Sequence, residues 1–342
     1  MIERRIHNDI TLKRYRRFKS VKRAVCSVWI VALLLGASLF AEIWVNNRPM
    51  VMKFGGAIYF PVLNDPHPSV FNQDGFVTDY RKLDFKAAGN WALWPAIRWN
   101  PYESNEAVET YPSPPTRDNW LGTDDRGRDV AARLIYGFRY SVGFALAVWF
   151  FAFSFGVGAG AVMGYWGGPV DMIGQRVVEV FDSLPYLLML LTLIALLGAS
   201  LWLLVAFSVF LGWMRISTYM RAEFLKLRKR DFVESARAQG VGTTRILFRH
   251  ILPNGLSPLI TFSPTEIAAN IYTLAILDYL GMGLPPPTPS WGELLQEAKE
   301  NFTIAWWLAV YPSLAMIVAL TSLTFIGEGV RAAYDPRKTA VV

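Results

Sequence analysis

Apolar residues in this chain fall in long unbroken runs, with the charges packed between them. Ala24–Val45 carries only Glu42 near its end, and Tyr140–Trp166 carries no charge at all. Ser183–Met214 is also uncharged but too long for one crossing, and Gly198-Ala199-Ser200 is a natural turn inside it. Extended outward to Val177 and Arg221, it holds two helices. Asn254–Leu277 carries only Glu266, and Ile304–Gly327 carries none. A helix rises about 1.5 Å per residue, so about 20 apolar residues cross a bilayer. The pattern predicts an all-α integral membrane protein with six transmembrane helices. A cleaved leader is the alternative for the first run, but its length and its long basic preamble favour a retained span.

The segments between the runs set an order along the chain. Residues 1–23 form a basic N-terminus, 24–45 the first span and 46–137 an outer loop or small cap between helices 1 and 2. Residues 138–327 form a five-helix core containing a basic loop at 221–253, and 328–342 form a tail. Residues 1–23 hold nine Lys/Arg against two acids, and residues 221–253 hold eight. Short basic loops stay cytoplasmic, so both termini and the 221–253 loop are placed inside and residues 46–137 outside. The outer segment holds nine of the chain's 20 prolines together with Trp91, Trp94, Trp99 and Trp120. A small irregular domain and a loosely ordered linker are both open readings.

Composition narrows the chemistry. The chain has 342 residues, 53% hydrophobic and only 18% charged, with a mean hydropathy of +0.28. Soluble domains carry about 25% charge. The net charge of +7 sits at the ends of apolar runs, where it orients spans, so no nucleic-acid partner is implied. The single Cys26 excludes an internal disulfide and a cysteine zinc site, and His7, His67 and His250 are scattered. No metal site is expected. No Gly-x-x-x-x-Gly-Lys-Ser/Thr loop occurs, so ATP is not bound by that route. Gly156, Gly160 and Gly164, four residues apart, suit close helix packing. No strand precedes them, which removes a dinucleotide-binding reading.

The basic loop contains Glu234-Ser235-Ala236-Arg237-Ala238-Gln239-Gly240, nine residues, then His250-Ile251-Leu252-Pro253. Asp231–Gln239 is predicted as a short helix with acids at its positive end. Gly240 and Gly242 break it, and Leu247–Pro253 forms an apolar arm into the fifth span. Elsewhere Asp124, Asp125 and Asp129 alternate with Arg126 and Arg128 beside a membrane entry. That cluster is either an internally paired scaffold or a seat for a partner. Pro285–Pro289 stiffens the chain before Trp291, an interfacial anchor candidate. Glu266 lies deep in a span near Pro258 and Pro264, so it either lines a path or bonds to a neighbouring helix. Asp278 sits near the outer end of the same span, as a second path candidate or an interfacial group.

The 234–253 stretch resembles the EAA loop of ABC-importer permeases, with Ser235 and His250 departing from the pattern. Trp120–Gly137, Leu280–Gly292 and Asp335-Pro336-Arg337 resemble segments of the dipeptide and oligopeptide branch. The long outer loop is similar to that of Yej-type permeases, which serve microcin C and oligopeptide uptake. The resemblance implies a bacterial inner-membrane permease that forms half of a peptide path and has no enzymatic activity. It implies ATPase coupling through Asp231, Glu234, Ser235, Ala236, Gly240, Ile251, Leu252 and Pro253. Membrane lipid surrounds such a chain. Its implied partners are a second permease, ABC ATPase subunits (two chains or one fused) carrying ATP and Mg, and a periplasmic peptide-binding protein. An ion-coupled transporter predicts inverted repeats and several buried charges, and neither is seen. A membrane enzyme lacks its motifs, and a non-transporting scaffold leaves the 234–253 loop unexplained.

Overall fold

The computed structural model describes residues 8–74, 76–85 and 89–335. His7 and the Pro336-Arg337 end of the closing motif lie outside them, as do the extreme parts of the N-terminus and tail. Twelve α-helices are found among the described residues: α1 (Asp9–Ser20), α2 (Lys22–Leu39), α3 (Ala41–Trp44), α4 (Val130–Trp166), α5 (Gly168–Asp182), α6 (Tyr186–Leu197), α7 (Leu201–Leu227), α8 (Asp231–Ala238), α9 (Thr243–Arg245), α10 (Leu252–Tyr279), α11 (Trp291–Glu300) and α12 (Trp306–Tyr334). By length and apolarity α2, α4, α7 and α12 can each cross a membrane, and α5–α6, bent by 76°, can make a fifth crossing. At 28 residues α10 has the length of a span. Its two prolines, Asn270 and Glu266 leave it outside that apolar set.

The chain divides into two units. The first comprises Met1–Val31, Ser141–Pro285 and Ile317–Val342. Within it, α4 and α7 meet along glycines. A Cβ at Gly156 would stand 2.7 Å from the Trp213 carbonyl, and one at Gly164 2.6 Å from the Arg221 carbonyl. Gly160 abuts the Ser217 carbonyl in the same way. Only residues without a side chain admit this backbone approach. The turn between α6 and α7 falls at Gly198–Ser200, where Gly198 has φ +88° and Ser200 Oγ accepts the Leu203 N–H. Arg221 of α7 is bound to both oxygens of Asp171 in α5, 2.7 Å at Oδ2.

The second unit comprises Ala32–Tyr140 and Pro286–Met316. Here the all-α expectation is corrected. Three short strands, β1 (Val51–Phe54), β2 (Ala57–Tyr59) and β3 (Trp91–Leu93), form an antiparallel sheet in the order β2-β1-β3. Gly55 and Gly56, both with positive φ, close the β1–β2 hairpin, as its two-residue turn requires. Met52, Phe71, Tyr80 and Leu83 are buried beneath it, with Phe71 edge-on to Phe54 at 5.6 Å. The predicted first span also ends early. Helix α2 stops at Leu39, and Arg139 donates to the freed Ser38 carbonyl and to Glu42 at 2.6 Å. Arg139 is also the main reason the Glu42 carboxyl is held below its ordinary pKa.

The acid–base cluster of the sequence is internally paired, and two acids from α11 complete it. Arg128 Nε donates to Asp124 Oδ2 at 2.6 Å, and Arg128 Nη2 reaches Glu297 at 3.1 Å and Glu293 at 3.3 Å. The fully buried Arg133 stands 3.3 Å from Asp124 and binds Glu293. Asp129 caps α4 through the Ala132 N–H at 2.8 Å. Burial pushes the Asp129 carboxyl up to about 6. Burial, then Asp124 and Asp125, pushes the Glu297 carboxyl up to about 9. The carboxylates of Asp124, Asp125 and Glu297 lie within 4.8 Å of one another. Asp124 Oδ1 already accepts the Arg126 and Arg128 N–H groups, so a proton on Glu297 relieves the crowding. Trp291 is not an interfacial anchor. It is 3% exposed, donates to the Leu134 carbonyl at 2.8 Å and stacks on Phe138.

Gly160→Leu should force α4 and α7 apart, at a cost of about 1–3 kcal/mol, seen as a lower thermal midpoint in detergent. The Glu297 pKa is raised on folding, so its stabilising effect is complete below about 4.5 and lost as pH rises through about 9. Thermal melts from pH 7 to 9 should fall in the wild type and flatten in Glu297→Gln, since the Asp129 contribution is already lost above about 6.

Candidate coupling elbow and translocation cavity

Helix α8 follows a tight bend after α7. Asp231 and Glu234 occupy its first turn, where the positive helix end favours acids. It closes on Gly240, whose φ of +75° suits a residue without a Cβ. The Gly240 N–H bonds to the Arg237 carbonyl at 2.9 Å and the Val241 N–H to the Ala236 carbonyl at 3.1 Å. These paired bonds are a Schellman closure. After α9 the chain winds through a wide π turn, Ile246–Ile251, and continues directly into α10. Pro253 has no N–H to give to the turn behind it, so a carbonyl is left open there. Asn254 Nδ2 donates to the neighbouring His250 carbonyl at 2.7 Å.

The predicted coupling residues divide into two sets. Asp231, Glu234, Ser235, Gly240 and Pro253 are exposed, and Leu252 is half-buried. Ala236 and Ile251 are buried. With Val233 and Ile246 they pack on Met220 and Phe224 of α7, while Arg237 lies 5.5 Å over the Tyr165 ring of α4. Phe232 and Phe248, 40% and 67% exposed, give the elbow its outward apolar groups. The sequence reading did not single out Phe232. Its signal was a large aromatic outside the buried register of Val233 and Ala236.

Glu266 and Asp278 are not brought together. Glu266 Oε1 accepts from Arg215 Nη1 of α7 at 3.3 Å, near the middle of both helices. The pair lines a cavity of about 230 Å³ with Trp149, Asp182, Tyr186 and Asn270. Asn270 ties α10 to the Ala145 carbonyl of α4. Arg215 was missed because it lies one residue past the end of the uncharged run and so looked like a flank. Asp278 is buried and accepts the Leu284 N–H at 2.6 Å, bracing the turn at the far end of α10. Gly283 leaves the room this needs, since a Cβ there would strike Asp278.

A mostly helical chain with several apolar spans, an exposed elbow and a charged cavity within its helices is a membrane transport component. Residues 156–340 match the family described as the binding-protein-dependent transport system inner membrane component. The chain is 40% identical to the inner membrane ABC transporter permease protein YejE of Escherichia coli (strain K12), over 97% of this chain and 98% of that one. It is 37% identical to the peptidoglycan transport system permease protein YejE of Agrobacterium fabrum, over 96% and 93%. It is 31% identical to the oligopeptide transport system permease protein OppC of Bacillus subtilis, over 66% and 73%. The chain belongs to the inner-membrane permease family of binding-protein-dependent ABC importers. Such a permease is a multi-pass, non-catalytic subunit, and ATP is used by ATPase partners.

Ile251→Ala should loosen the elbow by about 2–5 kcal/mol, read as faster amide exchange across residues 231–253. Exposed Ser235→Ala should stay within about 0.5 kcal/mol and leave that exchange unchanged.

Proposed function

We propose that this chain is one half of the translocation path of an ATP-driven peptide importer. The observation that carries this reading is continuity. The elbow and the charged cavity share α10, with the π turn at one end and Glu266 along its length. A displacement of α8 is passed through the packed Val233, Ala236, Ile246 and Ile251 to α7 and α10. The exposed Asp231, Glu234, Ser235, Gly240 and Pro253 meet the ATPase, aided by Phe232 and Phe248. The buried Ala236 and Ile251 act through the elbow's shape. Nucleotide binding draws two ATPase domains together, from one fused chain or two. ATP drives the change because it binds the two states of the path unequally.

In this proposal the chain crosses the membrane six times. The sixth crossing is α10, whose lower apolarity suits a helix that faces a path rather than lipid. Both termini and the elbow are cytoplasmic, and residues 46–137, with their small sheet, lie outside. A second permease completes the path, and a periplasmic binding protein delivers the cargo. One relative's name refers to oligopeptide transport and another's to peptidoglycan transport, which supports peptide cargo; microcin C-like cargo is proposed only on the likeness of the long outer loop. Glu266 lines the path, and Asp278 holds the turn at its outer end.

ATP-dependent uptake of a labelled oligopeptide by the reconstituted complex tests this reading. Phe232→Asp should lower uptake at least tenfold and weaken copurification of the ATPase while the spans still insert. Full uptake with this variant, or ATP-independent uptake by the wild type, would count against it.

A further inference from the structure

The Arg215–Glu266 pair is poorly built as a structural ion pair. The Arg215 side chain is 70% exposed and that of Glu266 31%. Among the described residues, Arg215 makes one bond, at 3.3 Å, although a guanidinium carries five N–H donors in a fixed fork. In the spanning part of a membrane protein, an open guanidinium of this kind faces a bundle interior or a water-filled cavity. Arg215 lines the cavity. So does Trp149, whose indole N–H is buried with no acceptor. On the acidic side stand Glu266 and Asp182, whose carboxylates accept and cannot donate. The chamber is therefore bipolar, with an under-used guanidinium beside two carboxylates.

We infer that this cavity is a recognition site for the charged end groups of a short peptide, with Arg215 as its carboxylate-binding residue. The inference rests on the peptide-import reading above. A terminal carboxylate has two coplanar oxygens that match the guanidinium fork. When the carboxylate takes Arg215, Glu266 loses its partner. Glu266 then accepts, with Asp182, from the terminal ammonium of a second peptide. At about 230 Å³ the cavity is below the range of pockets that enclose a drug-sized ligand, about 300 Å³ upward. It holds the end of a chain while the remainder lies along the path. Side-chain identity is left unread, as suits a path that carries many peptides.

The test uses the whole reconstituted complex with its binding protein. It compares uptake of one labelled tripeptide in three forms: free, C-terminally amidated and N-acetylated. The binding protein is the same in every arm, so a changed preference belongs to the permease. Arg215→Gln is expected to slow the free peptide about tenfold and to shrink its advantage over the amidated form towards one. Arg215→Lys is expected to restore part of that advantage. Glu266→Gln is expected to shrink the advantage over the acetylated form instead. Equal slowing of all three peptides by both variants would make the pair a helix tie and overturn the inference. So would loss of the second permease on purification of Arg215→Gln, which would place Arg215 at a subunit interface. Failure of the wild-type complex to import any form would overturn the peptide reading itself, before a variant is compared.

Discussion

The close approach of α4 and α7 at Gly156, Gly160 and Gly164 fixes the rest of the first unit. Helix α7 is the element that every functional feature there leans on. Its middle presents Arg215 to the cavity, and Met220 and Phe224 carry the base of the elbow. Arg221 holds α5 through Asp171. Lipid supplies no hydrophobic drive to press one helix against another, so van der Waals fit has to set where α7 lies. A methyl group added at the contact would move Arg215, the elbow and α5 together.

The second unit solves a different problem. Two arginines and four acids meet in a largely buried cluster, and the cost of removing charges from water is high unless each is paired. Arg128 and Arg133 are each shared among acids from two separate parts of the chain, residues 124–133 and α11. Sharing one cation among three carboxylates leaves negative charge over, which is why the Glu297 carboxyl is driven to hold its proton. The second unit thus adds an ionic cluster to its apolar core.

Much of this was legible in the sequence because its signals are local. Uncharged runs gave the helices, Gly198–Ser200 gave the turn, and the spacing of three glycines gave the close contact. The elbow was legible through acids at a helix start and a glycine at its end. Features that depend on residues far apart in the chain were not. Glu293 and Glu297 are about 165 residues from the arginines they meet, and nothing in a helix of ordinary amphipathic pattern marks them as buried. Arg215 sits at the edge of an apolar run, and only the neighbouring Glu266 reveals its depth. The strands at 51–93 are too short for their alternation to stand out among prolines and aromatics.

The division within the elbow has an evolutionary side. Ala236, Gly240 and Ile251 preserve the bend, while Glu234, Ser235 and Phe232 face outward. Ser235, where the family pattern has another residue, lies on the outward set and disturbs no packing. Shape and surface are therefore written in different letters of the same short motif. Under the proposed coupling role, a lineage can exchange the outward letters to suit a new motor without refolding the bend.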